Sequence, residues 1–485
     1  MRIDDLAALR RLVAEPLPHP DPATARADAR LALDWALEHF YSVPDQKVSG
    51  TATAAEMTKL LAGPPPEVGR DFADAFATYR DRIVPYAYRI GSPRFLAFVG
   101  SAPTLPAVIG EMLCAATNQF AGVWREGAGP SQVERVVLDW FKQWIGYPQE
   151  AAGLLTSGGS EANLTALVAA RHLVPHDDRR RMVLYVSDQR HGSVDRAAMI
   201  AGLHEEQLRS VPADDELRLS PTALEDAVCR DRAAGLLPWA VVANAGSTRT
   251  GTVDPLAELA DVCAAERLWL HADAAYGWSA VLTAEGKAAL AGIERADSIT
   301  LDPHKWFGQP FDAGCLLVKH GRHLPATFSQ QPDYMYDVLA GSGEINFADY
   351  GIALTRRFRA LKIWLSVQVL GVAWFRRLIE HCLRLADYAE AILRTAPHFR
   401  VVNPRQLSLV CFRHEPPRLV GDEEALDRHN HALVDGLAAT GRAFLSSTRV
   451  RGRVALRMCF VNWRTTADDV DEIVRLLEKL ASGVA

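Results

Sequence analysis

Lys305 stands in a segment that is otherwise largely apolar. Residues 297–318 read Asp-Ser-Ile-Thr-Leu-Asp-Pro-His-Lys-Trp-Phe-Gly-Gln-Pro-Phe-Asp-Ala-Gly-Cys-Leu-Leu-Val, an aromatic-rich run punctuated by Gly and Pro. Burying an ammonium is costly unless it is neutralised, paired or consumed in a bond. His304 precedes the lysine, Trp306 and Phe307 follow it, and Gly314 to Lys319 reads as a buried strand returning from the turn. An amine in such a pocket, its pKa lowered by desolvation, can form a Schiff base with an aldehyde cofactor. A lysine snorkelling from a strand end gives the same local pattern, and this segment alone does not separate the two.

A second stretch does. Leu268-Trp-Leu-His-Ala-Asp-Ala-Ala-Tyr-Gly-Trp278 reads as a short apolar strand ending on Asp273, followed by small residues, Ala275 among them, that let a flat group lie close to the backbone. A carboxylate at a strand end, one strand from a Schiff-base lysine, is what pyridoxal phosphate (PLP) requires, because the acid keeps the pyridine nitrogen protonated and the ring able to accept electrons. Upstream, Gly153-Leu-Leu-Thr-Ser-Gly-Gly-Ser-Glu-Ala-Asn163 passes from a strand into a helix. Gly158, Gly159 and Ser160 would there offer backbone N–H groups and a hydroxyl to an anion at the helix N-terminus. By itself this is more often a tight turn; ahead of a pyridoxal lysine it reads as a phosphate cradle. His191 follows a strand in Leu184-Tyr-Val-Ser-Asp-Gln-Arg-His-Gly-Ser-Val194, and Thr248 and Asp254 lie at the polar tip of the strand opening at Ala240. All three could equally be ordinary core or turn residues.

Together these stretches resemble the fold-type I PLP enzymes. Asp302-Pro-His-Lys-Trp306 narrows the likeness to the group II amino-acid decarboxylases, with the aromatic-L-amino-acid decarboxylases nearest. The resemblance spans nearly the whole chain and implies a mostly parallel seven-stranded sheet in a PLP-binding α/β domain, residues 85–369. It implies an N-terminal helical segment, 1–84, wrapping a partner subunit, and a small C-terminal α+β domain, 370–485. It implies Lys305 as the covalent cofactor link, Asp273 on the ring nitrogen, and His191 stacked on the ring and orienting the substrate carboxylate. Gly158, Gly159, Ser160, Thr248, Ala275 and Asp302 would complete the cofactor site, and Asp254 would support the subunit contact. Asp302 replaces the asparagine that some animal members carry, which puts its part in phosphate binding in question. Tyr334, in the aperiodic stretch 322–347, matches the acid on the family's mobile loop, with Tyr336 as competitor and His304 or a water as the relay.

Ile90, Phe98, Val99, Ser101 and Gly122 match the family's substrate pocket. Arg125 is the one nearby cation that would suit an acidic substrate. The expected reaction is decarboxylation of an aromatic L-amino acid (tryptophan, tyrosine, phenylalanine or dopa) to the amine and CO2. Decarboxylation of an acidic amino acid, or an aldehyde synthase or lyase on the same fold, stays open. An aminotransferase is disfavoured by the form of the lysine motif, and a silent cofactor-binding scaffold by the intact residue set.

The resemblance further implies a homodimer with the active site at the subunit interface, and the remainder of the chain suits a cytoplasmic enzyme. Apolar residues make up 49% of the 485, and a net charge of −6 without a basic stripe suggests neither a nucleic-acid nor a membrane partner. No stretch reaches the ~18 apolar residues of a membrane span, and Met1-Arg-Ile-Asp-Asp-Leu is no signal peptide. Seven scattered cysteines form no CxxC pair or metal spacing, so reduced thiols and no metal are expected. Helical spacing predicts helices from Asp21, from Thr51, over Phe72–Arg82, over Glu134–Gly146 and from Thr355. C-terminal strands are expected at 407–413 and 454–461, with helices at 423–440 and 466–482.

Overall fold

A computed structural model describes residues 3–17, 19–330, 341 and 343–483. Residues 1–46 with 50–89 form one compact unit, and 47–49 with 90–485 another. The first holds helices α1 (Ile3–Leu12), α2 (Pro22–Ser42), α3 (Ala54–Leu61) and α4 (Phe72–Arg82). Their starts follow from local chemistry. Asp21 accepts from the Ala23 and Thr24 N–H groups at the head of α2, with Pro22 at the first position, and Thr53 and Glu56 form a reciprocal capping box on α3.

The second unit opens with α5 (Leu105–Thr117) and α6 (Trp124–Ile145), the latter ending on Gly146 at φ 81°. Strands and helices then alternate: β1 (Ala152–Thr156), α7 (Gly159–His172), β2 (Met182–Ser187), α8 (Gly192–Ile200), β3 (Leu208–Val211), α9 (Pro221–Ala233), β4 (Leu237–Asn244), α10 (Leu256–Glu266) and β5 (Trp269–Asp273). After α11 (Ala284–Ala289) come β6 (Ser298–Leu301), β7 (Gly314–Val318) and α12 (His323–Phe328). The seven strands form one sheet in the order β1-β7-β6-β5-β4-β2-β3. It is parallel from β6 to β3, and β7 is antiparallel to both β1 and β6. Every strand except β7 therefore points the same way. Continuous burial along β2, β6 and β7 is what a sheet covered on both faces demands.

Helices α13 (Ala360–Leu370) and α14 (Val372–Thr395) lead to a second, antiparallel sheet in the order β10-β11-β9-β8. Its strands are β8 (Phe399–Val401), β9 (Leu409–His414), β10 (Ser446–Val450) and β11 (Arg453–Cys459), accompanied by α15 (Glu423–Ala439) and α16 (Ala467–Ala481).

Two expectations need correction. The helix expected from Thr355 begins at Ala360. The intervening backbone is held by other partners: Ala121 N–H donates to the Arg356 carbonyl, and Phe120 bridges to Arg357. Arg356 itself is buried and donates to Glu134, 2.5 Å away, to the Leu155 carbonyl and to the Ala121 carbonyl. That set ties β1 to α6. The aperiodic stretch 322–347 also contains a short helix, α12, anchored by the buried Leu324. Among the described residues, all seven cysteines are free thiols, and no helix is long and apolar enough to cross a membrane.

Candidate active site

Because β1, β2, β4, β5 and β6 share a direction, their C-terminal ends open on one edge of the sheet, where ligands of open α/β sheets bind. A cavity of about 410 Å³ lies there. That is within the ~300–1,000 Å³ of small-molecule sites. Ser157 to Ser160 enter it after β1, and His191 and Ser193 after β2. Asn244 ends β4, with Gly246 and Thr248 beyond it; Asp273 ends β5, with Ala275 and Tyr276 beyond it; Asp302, His304 and Lys305 follow β6. The structure thus brings the expected Lys305, Asp273, His191, His304, Gly158, Gly159, Ser160, Thr248, Ala275 and Asp302 to one cavity.

Lys305 Nζ lies 3.0 Å from Asp302 Oδ2, and His304 Nε2 lies 3.7 Å from the same oxygen. The carboxylate offsets much of the cost of holding the ammonium in a side chain only 19% exposed. The other oxygen of Asp302, Oδ1, is buried without a hydrogen-bond partner. His304 Nδ1 accepts from the Ala313 N–H at 3.0 Å, so the neutral ring carries its proton on Nε2. Burial pushes the pKa of His304 down against the opposing pull of Asp302, and burial does the same to His191 against Asp273. Both imidazoles are thereby favoured as neutral rings.

The turn from β1 into α7 admits only small residues. A Cβ at Gly159 would stand 2.9 Å from Asp302 Oδ2 and 3.2 Å from the Ala275 Cβ, and one at Gly314 would stand 2.4 Å from the Gly158 Cα. No side chain caps α7, so its first amides remain available to an anion. An amine, a buried carboxylate 7% exposed at the end of β5, and an uncapped glycine turn in one cavity suit the aldehyde, the pyridine nitrogen and the phosphate of PLP. A methyl group at Gly159 is expected to weaken PLP binding at least about 10-fold, as overpacking of a tight site does. A fluorescence titration of Gly159→Ala checks this; an unchanged Kd removes the cradle from the site.

The expected substrate positions fall elsewhere: Ile90, Phe98, Val99, Ser101 and Gly122 do not line this cavity. Ser101 Oγ donates to the Val461 carbonyl at 2.6 Å, and Val99 is buried. A Cβ at Gly122 would meet the Phe120 ring at 2.3 Å. Phe98 is 58% exposed at φ 52°, a costly backbone for an aromatic residue. Two bonds hold it there: its N–H donates to Ser446 Oγ and its carbonyl accepts from Arg457 Nη2. Arg125 is exposed in the first turn of α6. Tyr334 and Tyr336 lie outside the described residues.

Several lining residues escaped the sequence reading, among them Asn163, Ser193, Asn244 and Tyr276. Behind them lies His271, fully buried, its pKa pushed down by burial to about 4. The period of a strand places His271 on the same face as Asp273, which was a usable signal. Asp254 is buried and accepts from Leu219 N–H, Asn244 N–H and Asn244 Nδ2, bracing a wall of the cavity, while desolvation raises its pKa to about 6.

A lysine and a carboxylate at adjacent strand ends above a glycine-led helix, on a sheet with one reversed strand, define a fold-type I PLP enzyme. Residues 56–415 match the pyridoxal-dependent decarboxylase conserved domain. The chain is 40% identical over 455 residues to an aromatic-L-amino-acid decarboxylase of Bacillus atrophaeus, covering 94% of this chain and 95% of the relative. It is 30% identical to a phenylacetaldehyde synthase of Arabidopsis thaliana, over 95% and 96% of the two chains. Oryza sativa TDC, crystallised with PLP and tryptamine, superposes with a TM-score of 0.91 at 30% identity, covering 97% of this chain and 99% of that one. The chain belongs to the pyridoxal-dependent decarboxylase family and is a PLP-dependent carboxy-lyase acting on amino acids.

Proposed function

We propose that this enzyme removes the carboxylate of an aromatic L-amino acid, releasing the amine and CO2, as a cytoplasmic homodimer with the active site at the subunit interface. The observation that carries the proposal is the convergence of Lys305, Asp273 and His191 on one cavity in a chain 40% identical to an aromatic-L-amino-acid decarboxylase. When bound, PLP supplies an electron sink for the pair released as CO2 departs. Lys305 would be the residue that holds the cofactor covalently, its amine being available in the cavity. Asp273 would supply the negative charge for the pyridine nitrogen, and His191 would support the ring and orient the substrate carboxylate, as the family likeness implies. The amides of Gly158 to Ser160 would hold the phosphate, and Thr248 and Ala275 would complete the cofactor site. His304, its Nδ1 occupied by the Ala313 N–H, keeps a proton on Nε2 at the cavity wall. Tyr334 is the proposed donor of the proton that replaces CO2, on the strength of the family likeness.

Exposed apolar side chains on α5, Ile109, Met112 and Leu113, together with Ile352 and Leu354, support a subunit interface. Such an interface could also bring the exposed Phe98 of one subunit to the cavity of the other, which would reconcile its role as a pocket residue with its distance from the lining.

The test is incubation of the PLP-loaded enzyme with a panel of L-amino acids while amine, CO2, aldehyde and oxygen uptake are measured. Amine from aromatic substrates, with little from glutamate or aspartate, is expected; glutamate as best substrate would overturn the aromatic assignment and turn attention to Arg125. The likeness to a phenylacetaldehyde synthase makes the fate of the reacting carbon a second readout. A phenol at position 334 supplies a proton, whereas phenylalanine fills the space and donates nothing. Tyr334→Phe is therefore expected to divert product from amine to aldehyde with oxygen consumption. If Tyr336→Phe alone does so, the acid is Tyr336.

A further inference from the structure

Asp273 and His191 are joined by a single amide. Asn163 Nδ2 donates to Asp273 Oδ2 and to Ser193 Oγ, both at 3.0 Å. Ser193 Oγ lies 2.8 Å from His191 Nδ1, and the Ser193 N–H also donates to that nitrogen at 3.2 Å. On its other side Asn163 Oδ1 accepts from Thr300 Oγ1 at 2.6 Å and contacts His271 Nε2 at 3.0 Å. His271 Nδ1 lies 2.8 Å from Ser298 Oγ, which accepts from the Trp269 indole N–H, also at 2.8 Å. Asn163, His271, Ser298 and Thr300 are all buried.

With Asp273 taken as the carboxylate, these contacts are satisfied by one placement of protons. An ionised carboxylate is an acceptor on both oxygens, so the Asn163 atom facing Asp273 is its NH2, and the oxygen faces His271. An amide oxygen only accepts, so His271 carries its proton on Nε2. As a neutral ring it then accepts at Nδ1 from Ser298, which is itself fixed by the Trp269 donor. On the other branch, both Asn163 protons are spent, one on Asp273 and one on Ser193. Ser193 accepts there and turns its own hydrogen to His191 Nδ1, which leaves His191 protonated on Nε2.

We propose that Asn163 is a positioning residue that fixes the rotation of Asp273 and, by orienting the Ser193 hydroxyl, reinforces the His191 tautomer that the Ser193 N–H also selects. His271 and Thr300 hold its amide the right way round. The proposal rests on the assignment of Asp273 and His191 to the PLP site. Removing Asn163 would leave Asp273 without its side-chain donor and leave the Ser193 hydroxyl unoriented, while the Ser193 N–H would still donate to His191 Nδ1.

The test uses the full-length enzyme. Asn163→Leu removes the amide at similar volume, and Asn163→Asp keeps the shape but removes both donors. Both are expected to raise the Kd for PLP, read by fluorescence, roughly 10- to 100-fold, the worth of a hydrogen bond to a charged group. Imidazole ¹⁵N shifts of the PLP-free wild type should show His271 and His191 protonated on Nε2. In an Asp273→Asn background, Asn163→Leu should add less than 3-fold, because coupled residues are not additive. The opposite tautomer at His271, or fully multiplicative effects of the two substitutions, overturns the proposal. An unchanged Kd in Asp273→Asn alone instead sinks the underlying assignment of Asp273, so the two failures are distinguishable.

Discussion

Lys305→Ala is expected to abolish the visible absorption of the PLP-loaded protein and to lower decarboxylation at least about 10³-fold, since it removes the covalent anchor that positions the cofactor. The reason is geometric. Lys305 is the amine among the residues lining the cavity, and its ammonium is paired with Asp302 at 3.0 Å. Alanine leaves the cofactor without its covalent link, held by non-covalent contacts only, so PLP should dissociate on dialysis from the variant and remain with the wild type. Asp302 would then face only His304, at 3.7 Å. Absorption spectra before and after dialysis check the first point. A variant that keeps its band places the covalent link on another residue.

Asp273→Asn is expected to cost about 10²–10⁴ in turnover, the range of a lost electrostatic or proton-holding group, while Lys305 still binds the cofactor covalently. The native carboxylate accepts from Asn163 Nδ2 at Oδ2 and from the Ala275 N–H at Oδ1. An amide there cannot accept on both sides. Its NH2 must oppose a donor or face the ring nitrogen, and in neither orientation does it supply the negative charge that holds a pyridinium. Asp273→Glu restores the charge but lengthens the side chain into a packed wall, and should recover only part of the rate. Near-normal turnover in Asp273→Asn would remove Asp273 from the chemistry.

How much was legible beforehand depends on how local each signal is. Phe72–Arg82 emerges with the bounds its spacing suggested, and Asp273 closes a strand as its apolar run implied. The glycine turn before α7 was likewise readable, because its demands are met within a few residues. The start of α13 was not, since Arg356 is claimed by Glu134 and by the backbone of β1 and of residue 121, all remote in sequence. The strands β8 and β10 are short and partly exposed, so they carry little apolar alternation. Asn163 stood at the end of a stretch already singled out, yet its role depends on four separate segments meeting, which no local pattern records. The same limit applies to Phe98, whose backbone is held by residues of β10 and β11.

The reversed strand β7 bears on how the protein is made. β1 lies at the margin of the large sheet and pairs only with β7, placing Thr156 opposite Gly314. The phosphate turn that follows β1 is thus among the early parts of the large domain to leave a ribosome, yet the strand that fixes it comes after Lys305. Pairings so distant in the chain form slowly, and domains fold as units once their last element is available. A nascent chain truncated before Val318 would expose an unpaired margin at β1 and would lack a rigid seat for the phosphate even with Asp273 already synthesised. Loading with PLP is therefore expected to follow completion of the sheet, so that chains ending before Val318 should not retain the cofactor.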